Sequence, residues 1–240
     1  MKTLAIAVVG SASLVASADA GFLGFVGFVR TSGAYKIIDV FAGVSNASDK
    51  FLNVYNLNAA ATSGFYQQAG LATKTWKPDA ASFNSTRSSI DSFMTAGTYS
   101  GGAYGGEYYA STNTNGDPNF TGTSWSGTPA SPAATTIPAL AGWYTGDPTS
   151  VDNTTESLAA VAGTRENASG GAAANFGIWC AHLVVTSNTT TVSWDAFASI
   201  KDGVTGGTSQ AQSTTANFIP APGTLALLGL AAFAARRRRN

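Results

Sequence analysis

Cys180 and His182 stand two residues apart and are the single cysteine and the single histidine of this 240-residue chain. On a β-strand that spacing puts both on one face, and a thiol beside an imidazole is the raw material of nucleophilic catalysis. A zinc site needs three or four ligands, so the pair is too small for one. The run around them, Asn175 to Thr186 (NFGIWCAHLVVT), is largely apolar. The expectation is therefore a buried strand, with Cys180 acting as a small apolar residue. With one cysteine no internal disulfide exists, and the body must be stabilised by packing.

Other residue sets could do chemistry in principle. Gly122-Thr123-Ser124-Trp125-Ser126-Gly127 has the residues of a nucleophile elbow, and acids and His182 follow it in the order Ser, Asp, His. Its spacing is not Gly-Xaa-Ser-Xaa-Gly, and neither a strand before it nor a helix after it is indicated. Glu107, Asp117, Asp147, Asp152, Glu156 and Glu166 offer carboxylates for glycoside hydrolysis, which needs two of them flanking a cleft. They fall mostly in loop-like sequence, and spacing does not pair them. Asn113 to Asn119 (NTNGDPN) gathers oxygen donors suited to calcium, without the acidic density of an EF-hand loop. No catalytic residue, metal ligand or cofactor is expected from these sets.

Aromatics form the remaining candidate site. Trp125, Trp143 and Tyr144 lie in a Gly/Ser/Pro-rich stretch, and Tyr104 sits within a glycine-rich run. Aromatic rings on loops stack on sugars or on another protein, or else plug the loops onto a sheet. Trp179 and Trp194 fall in the strongest strand signals and are expected in the core. Six Asn-Xaa-Ser/Thr sequons begin at Asn46, Asn84, Asn119, Asn153, Asn167 and Asn188. In a chain so rich in Asn, Ser and Thr they are expected by chance.

The elements that must position these residues read as strands. Gly21 to Arg30 is apolar with glycines every third residue and reads as a first strand. Tyr35 to Val44 and Phe51 to Leu57 flank the turn cluster Ser45–Asp49, which suggests a hairpin. Thr191 to Ile200 alternates: Val192, Trp194, Ala196, Ala198 and Ile200 share a face opposite Ser193, Asp195 and Ser199, and Phe197 breaks the pattern. Ser187-Asn188-Thr189 would turn the preceding strand into this one. Ser209 to Phe218 reads as a last short strand. From Gly97 to Pro148 five of the eight prolines accumulate, and the stretch reads as long loops. Helical spacing is confined to Asp79–Met94 and Ser157–Ala162. The fold class expected is mainly β: a single antiparallel β-sandwich-like domain over 21–218, with long Gly/Ser/Pro-rich loops.

The chain ends carry the most specific signals. Met1-Lys2, an apolar run from Leu4 to Val15 and the small residues Ala18 and Ala20 make residues 1–20 a signal peptide, with the mature chain starting at Gly21. Residues 219–240 read IPAPGTLALLGLAAFAARRRRN. Pro220, Ala221, Pro222 and Gly223 precede a hydrophobic helix at about 221–235, and Arg236, Arg237, Arg238 and Arg239 follow it. Fifteen residues are short of the about 20 that span a bilayer, but snorkelling arginines and local thinning extend the reach. The arginines would stay on the cytoplasmic side.

This tripartite tail resembles the PEP-CTERM sorting signal of Gram-negative bacteria, in a Pro-Ala-Pro-Gly variant that lacks the usual central glutamate. The resemblance covers about a tenth of the chain. It implies export, a transient inner-membrane anchor, and processing by an exosortase-like protease that delivers the body to the cell surface or beyond. The implied partners are the secretion machinery and that protease, with exopolysaccharide or other surface proteins as further partners.

Charge narrows the function classes. The full chain has zero formal net charge. Without Lys2 and Asp19 of the leader and Arg236–Arg239 of the tail, eight basic and twelve acidic residues remain, a net charge of −4. Nothing basic is left to neutralise phosphates, so nucleic acid is not an expected partner. A surface or matrix protein of structural or adhesive type is the first expectation. A carbohydrate-binding module using the loop aromatics is the second, and a secreted hydrolase the third.

Overall fold

Alternation of side chains across the pleat, interrupted by a few bulges, decides which residues of the strands face inward, and the described residues form eleven strands. A computed structural model describes residues 21–67, 90–97, 110–111, 136–137, 139–145, 155–167 and 174–219. In chain order the strands are β1 (Phe22–Ser32), β2 (Tyr35–Val44), β3 (Lys50–Ala61), β4 (Phe93–Gly97), β5 (Ala110–Ser111), β6 (Ala141–Thr145), β7 (Glu156–Ser157), β8 (Thr164–Asn167), β9 (Phe176–Thr186), β10 (Val192–Lys201) and β11 (Thr208–Ile219). They form two antiparallel sheets. One has the order β4-β9-β2-β1-β8, with β7 also paired to β9; the other has the order β11-β10-β3-β6-β5. Among the described residues there is no α-helix, and no helix long and apolar enough to cross a membrane.

The core lies between the sheets. One sheet contributes Ile38, Val40 and Ala42 from β2 and Ile178, Ala181 and Leu183 from β9. The other contributes Val54 and Leu57 from β3, Trp143 from β6, and Trp194, Ala196, Ala198 and Ile200 from β10. The alternating face expected for Thr191–Ile200 is thus the buried one. Trp194 makes edge contacts with Phe25 at 5.4 Å and with Trp143 at 6.1 Å.

Two expected hairpins are instead crossovers. β2 and β3 do not pair, nor do β9 and β10: β2 pairs with β1 and β9, and β3 pairs with β10 and β6. Both strands of each adjacent pair carry an apolar face, and one short turn lets them bury those faces against each other rather than side by side. Asp49 closes the first turn, accepting hydrogen bonds from Asn46 N at 3.1 Å and from Gly203 N, across the β10–β11 turn, at 3.3 Å. A Cβ on Gly203 would collide with the Ser48 carbonyl, so glycine is required at this approach. Gly27 answers a similar need, because Phe218 of β11 packs where its side chain would be. That contact accounts for one of the glycines that recur every third residue in the first strand.

Three further expectations change. The Gly97–Pro148 stretch contains β6, an interior strand between β3 and β5, which the prolines at 138 and 148 bracket without entering. The end of the helical candidate Asp79–Met94 is strand: Phe93 and Met94 begin β4, while 79–89 lie outside the described residues. Ser157–Ala162 forms only a 3₁₀ turn at Leu158–Ala160. The last strand, β11, runs to Ile219, one residue into the segment read as tail. The leader and the tail from 220 onward lie outside the described residues.

Trp194→Ala is expected to lower the unfolding free energy by about 3–5 kcal/mol. Ser193→Ala, one residue earlier and facing outward, is expected to change it by less than about 0.5 kcal/mol. Urea titrations of both variants followed by circular dichroism check the alternation directly.

Candidate functional site

Cys180 and His182 do not share a face. Val40 pairs with Ala181 and Phe41 with Trp179, which leaves Cys180 as the extra residue of a β-bulge. The bulge turns Cys180 inward with the core and sends His182 and Trp179 to the opposite face of the sheet. Cys180 is fully buried, and its Sγ donates to the Val40 carbonyl at 3.2 Å. Burial pushes the thiol well up from its ordinary value. The thiolate that nucleophilic or metal chemistry needs is therefore disfavoured.

His182 instead belongs to a network that crosses three strands. Its register partner on β2 is Asp39. The imidazole Nδ1–H donates to Asp39 Oδ1 at 2.6 Å, and the Arg30 guanidinium of β1 donates to Asp39 Oδ2. Asp39 and His182 are wholly buried, and Arg30 keeps 22% of its side chain exposed. Burial by itself would raise the Asp39 carboxyl pKa, but the charges and hydrogen bonds of His182 and then Arg30 outweigh it and hold it below its ordinary value.

An aromatic wall surrounds the imidazole. Phe93 of β4 stacks on it at 4.8 Å and 19°, and Trp179 meets it edge-on at 5.9 Å. Phe93 and Trp179 also join Val26, Phe28, Phe41, Leu158, Val161 and Ala174 in a second apolar cluster on this outer face. An aspartate-oriented imidazole is the base of a hydrolytic triad. Here its ring is covered on a face and an edge, and no part of it is exposed. As placed, the network fastens β1, β2 and β9 together and gives a substrate no approach.

The other sequence candidates scatter. Trp143 is 1% exposed, lies in the core and donates its Nε1–H to the Thr95 carbonyl at 2.9 Å, so it cannot stack on a ligand. It faces inward because β6 is an interior strand rather than a loop. Tyr144 follows it in β6, in register with Asn53. Trp125 and Tyr104 lie outside the described residues, as do Ser124, Ser126, Asn113–Asn119, Glu107, Asp117, Asp147 and Asp152. Glu156 of β7 and Glu166 of β8 are placed at opposite sides of one sheet, four strand spacings and so about 19 Å apart. That exceeds the reach of a glycosidase acid pair. Among the described residues no three His, Cys, Asp or Glu come together to hold a metal. Comparison with protein-family models, with curated proteins and with solved structures gives no match to this chain.

Sequence reasoning passed over Asp39 and Arg30. The signal was present: a lone carboxylate inside the run KIIDVFAGV must be paired if that run is buried.

Removing one partner of a buried pair leaves the other uncompensated, so Asp39→Ala is expected to destabilise by about 3–5 kcal/mol at neutral pH. Because the native Asp39 carboxyl is depressed, its contribution is complete above the unfolded value near about 4 and is lost as pH falls through the lower native value. Acid unfolding curves of the wild type and of Asp39→Asn check this: the variant should lose that part of the acid dependence. Cys180 should be unreactive towards a thiol reagent in the native protein and should titrate as one thiol per chain only in denaturing guanidinium.

Proposed function

We propose that this chain is an exported bacterial protein whose β-sandwich body serves as a structural or adhesive element at the cell surface or in the extracellular matrix. Residues 1–20 direct export, residues 21–218 form the body, and residues 219–240 sort it. The tail supports the delivery half of this reading: Pro220-Ala221-Pro222-Gly223, an apolar helix and Arg236–Arg239 stand in the order an exosortase-like protease recognises. The helix at about 221–235 would hold the chain in the inner membrane until processing, with the body on the far side.

The observation that carries the scaffold half is how the chain uses its reactive side chains. Cys180, His182 and Asp39, the groups best suited to chemistry, are fully buried in strand packing. A body that spends its thiol, its imidazole and a fully buried carboxylate on strand packing is built for durability. Without a disulfide, an extracellular protein of this size depends on such packing.

Intact-mass analysis of membrane and medium fractions, for the wild type and a chain lacking Arg236–Arg239, tests the reading. The wild type should yield a mature form that starts at Gly21 and ends near Pro220. The shortened chain should remain unprocessed and change fraction. Identical termini and distribution for both would overturn the sorting reading.

A further inference from the structure

We propose that the outer face of β3 and β10 is a binding face for a neutral β-linked glucan chain. Phe197, the residue that broke the apolar pattern of β10, belongs to the outward set with Ser193, Asp195 and Ser199. Its register partner is Tyr55 of β3, and the two half-buried rings stack at 5.1 Å and 21°. Asn56, in the left-handed region at φ 52°, bulges β3 beside them and brings Asn58 opposite Asp195. On the other side of the rings Asn53 stands opposite Ser199.

Three oxygens around this aromatic pair are unsatisfied. Asn53 Oδ1, Asp195 Oδ1 and Ser199 Oγ are shielded from solvent, and each lacks a hydrogen-bond partner among the described residues. Ser199 is 1% exposed. Buried oxygens without donors are rare in folded proteins and each asks for an explanation. All three can accept a hydrogen bond, so the missing partner is a molecule rich in donors. Paired rings next to them require that the same molecule also present apolar surface. A pyranose has both properties, with hydroxyl donors around its rim and C–H groups on its ring face. Among the described residues no cation lies in the part of the face bounded by Asn53, Tyr55, Asn58, Asp195, Phe197 and Ser199, although Lys50 and Lys201 pair at the end of the two strands. That favours a neutral chain over an acidic one. Asn53, Tyr55, Asp195 and Phe197 are each partly exposed and Asn58 is exposed, so a chain lying on this face meets the side chains that carry these groups. This site differs from the loop aromatics considered in the sequence, and it depends on the exported-scaffold reading only for where such a polysaccharide would be met.

Isothermal titration calorimetry of the full chain with cellohexaose tests it, with polygalacturonate as the acidic comparison. Cellohexaose should bind saturably, and Phe197→Ala should weaken binding about tenfold or more. Phe197→Tyr should retain it within about threefold, and Asn53→Ser should weaken it measurably. If Phe197→Ala fails to fold by circular dichroism, the Asn53→Ser and Phe197→Tyr pair decides. Absence of cellohexaose binding, preference for polygalacturonate, or unchanged affinity in a folded Phe197→Ala protein would each overturn the proposal. So would occupation of the face by a second copy of the chain, read as a dimer that Phe197→Ala dissolves. None of these results bears on the termini and fractionation that test export, so the two readings fail separately.

Discussion

Burial of apolar faces by two crossing turns is the constraint on which the rest of the structure depends. β2 leads into β3 at one end of the body, and β9 leads into β10 at the other. Each turn carries the chain from one sheet to the other. β2 and β9 are neighbours in the first sheet, and β3 and β10 are neighbours in the second. The two arches therefore interlock, and neither can open without breaking both ladders. Trp194, Val54, Ile38 and Leu183 meet inside them in one cluster. The tight approach of Gly203 to Ser48 and of Gly27 to Phe218 follows from the same arrangement, since turns and edge strands must close over a core already set by the arches.

The bulge at Cys180 is the second organising feature. One extra residue in β9 sends the thiol into the core and the imidazole out, onto Asp39. A carboxylate in a buried strand would be unfavourable alone. With His182 on one oxygen and Arg30 on the other it becomes a tie across three strands. Phe93 and Trp179 then cover the imidazole end of the tie. The lower dielectric strengthens the pairing and also explains why loss of any one partner is felt by the rest.

Much of this was legible in the sequence. The two-residue period of Thr191–Ile200 revealed its buried face, and β-branched runs revealed β2 and β9. Pairing was not legible, because an apolar face asks only to be covered and does not say whether the strand after a turn lies beside it or across from it. The bulge was invisible for a related reason: strict alternation over NFGIWCAHLVVT places Cys180 and His182 together, and only pairing with β2 shows the extra residue. Trp143 was misplaced because the prolines around β6 suggested loop, whereas they flank the strand and leave its ladder intact. Asp39 was legible in retrospect as a charge inside an apolar run. Phe197, an apparent flaw in the alternation, became the centre of an outward-facing aromatic pair.

Native-state hydrogen exchange tests the interlocked-arch account most directly. Ladder amides of β2 and β9 and those of β3 and β10 should exchange with one common free energy, equal to that of global unfolding and equally sensitive to denaturant. Exchange of the β3–β10 ladder at a distinctly lower free energy than the β2–β9 ladder would contradict it, because the two sheets would then open independently.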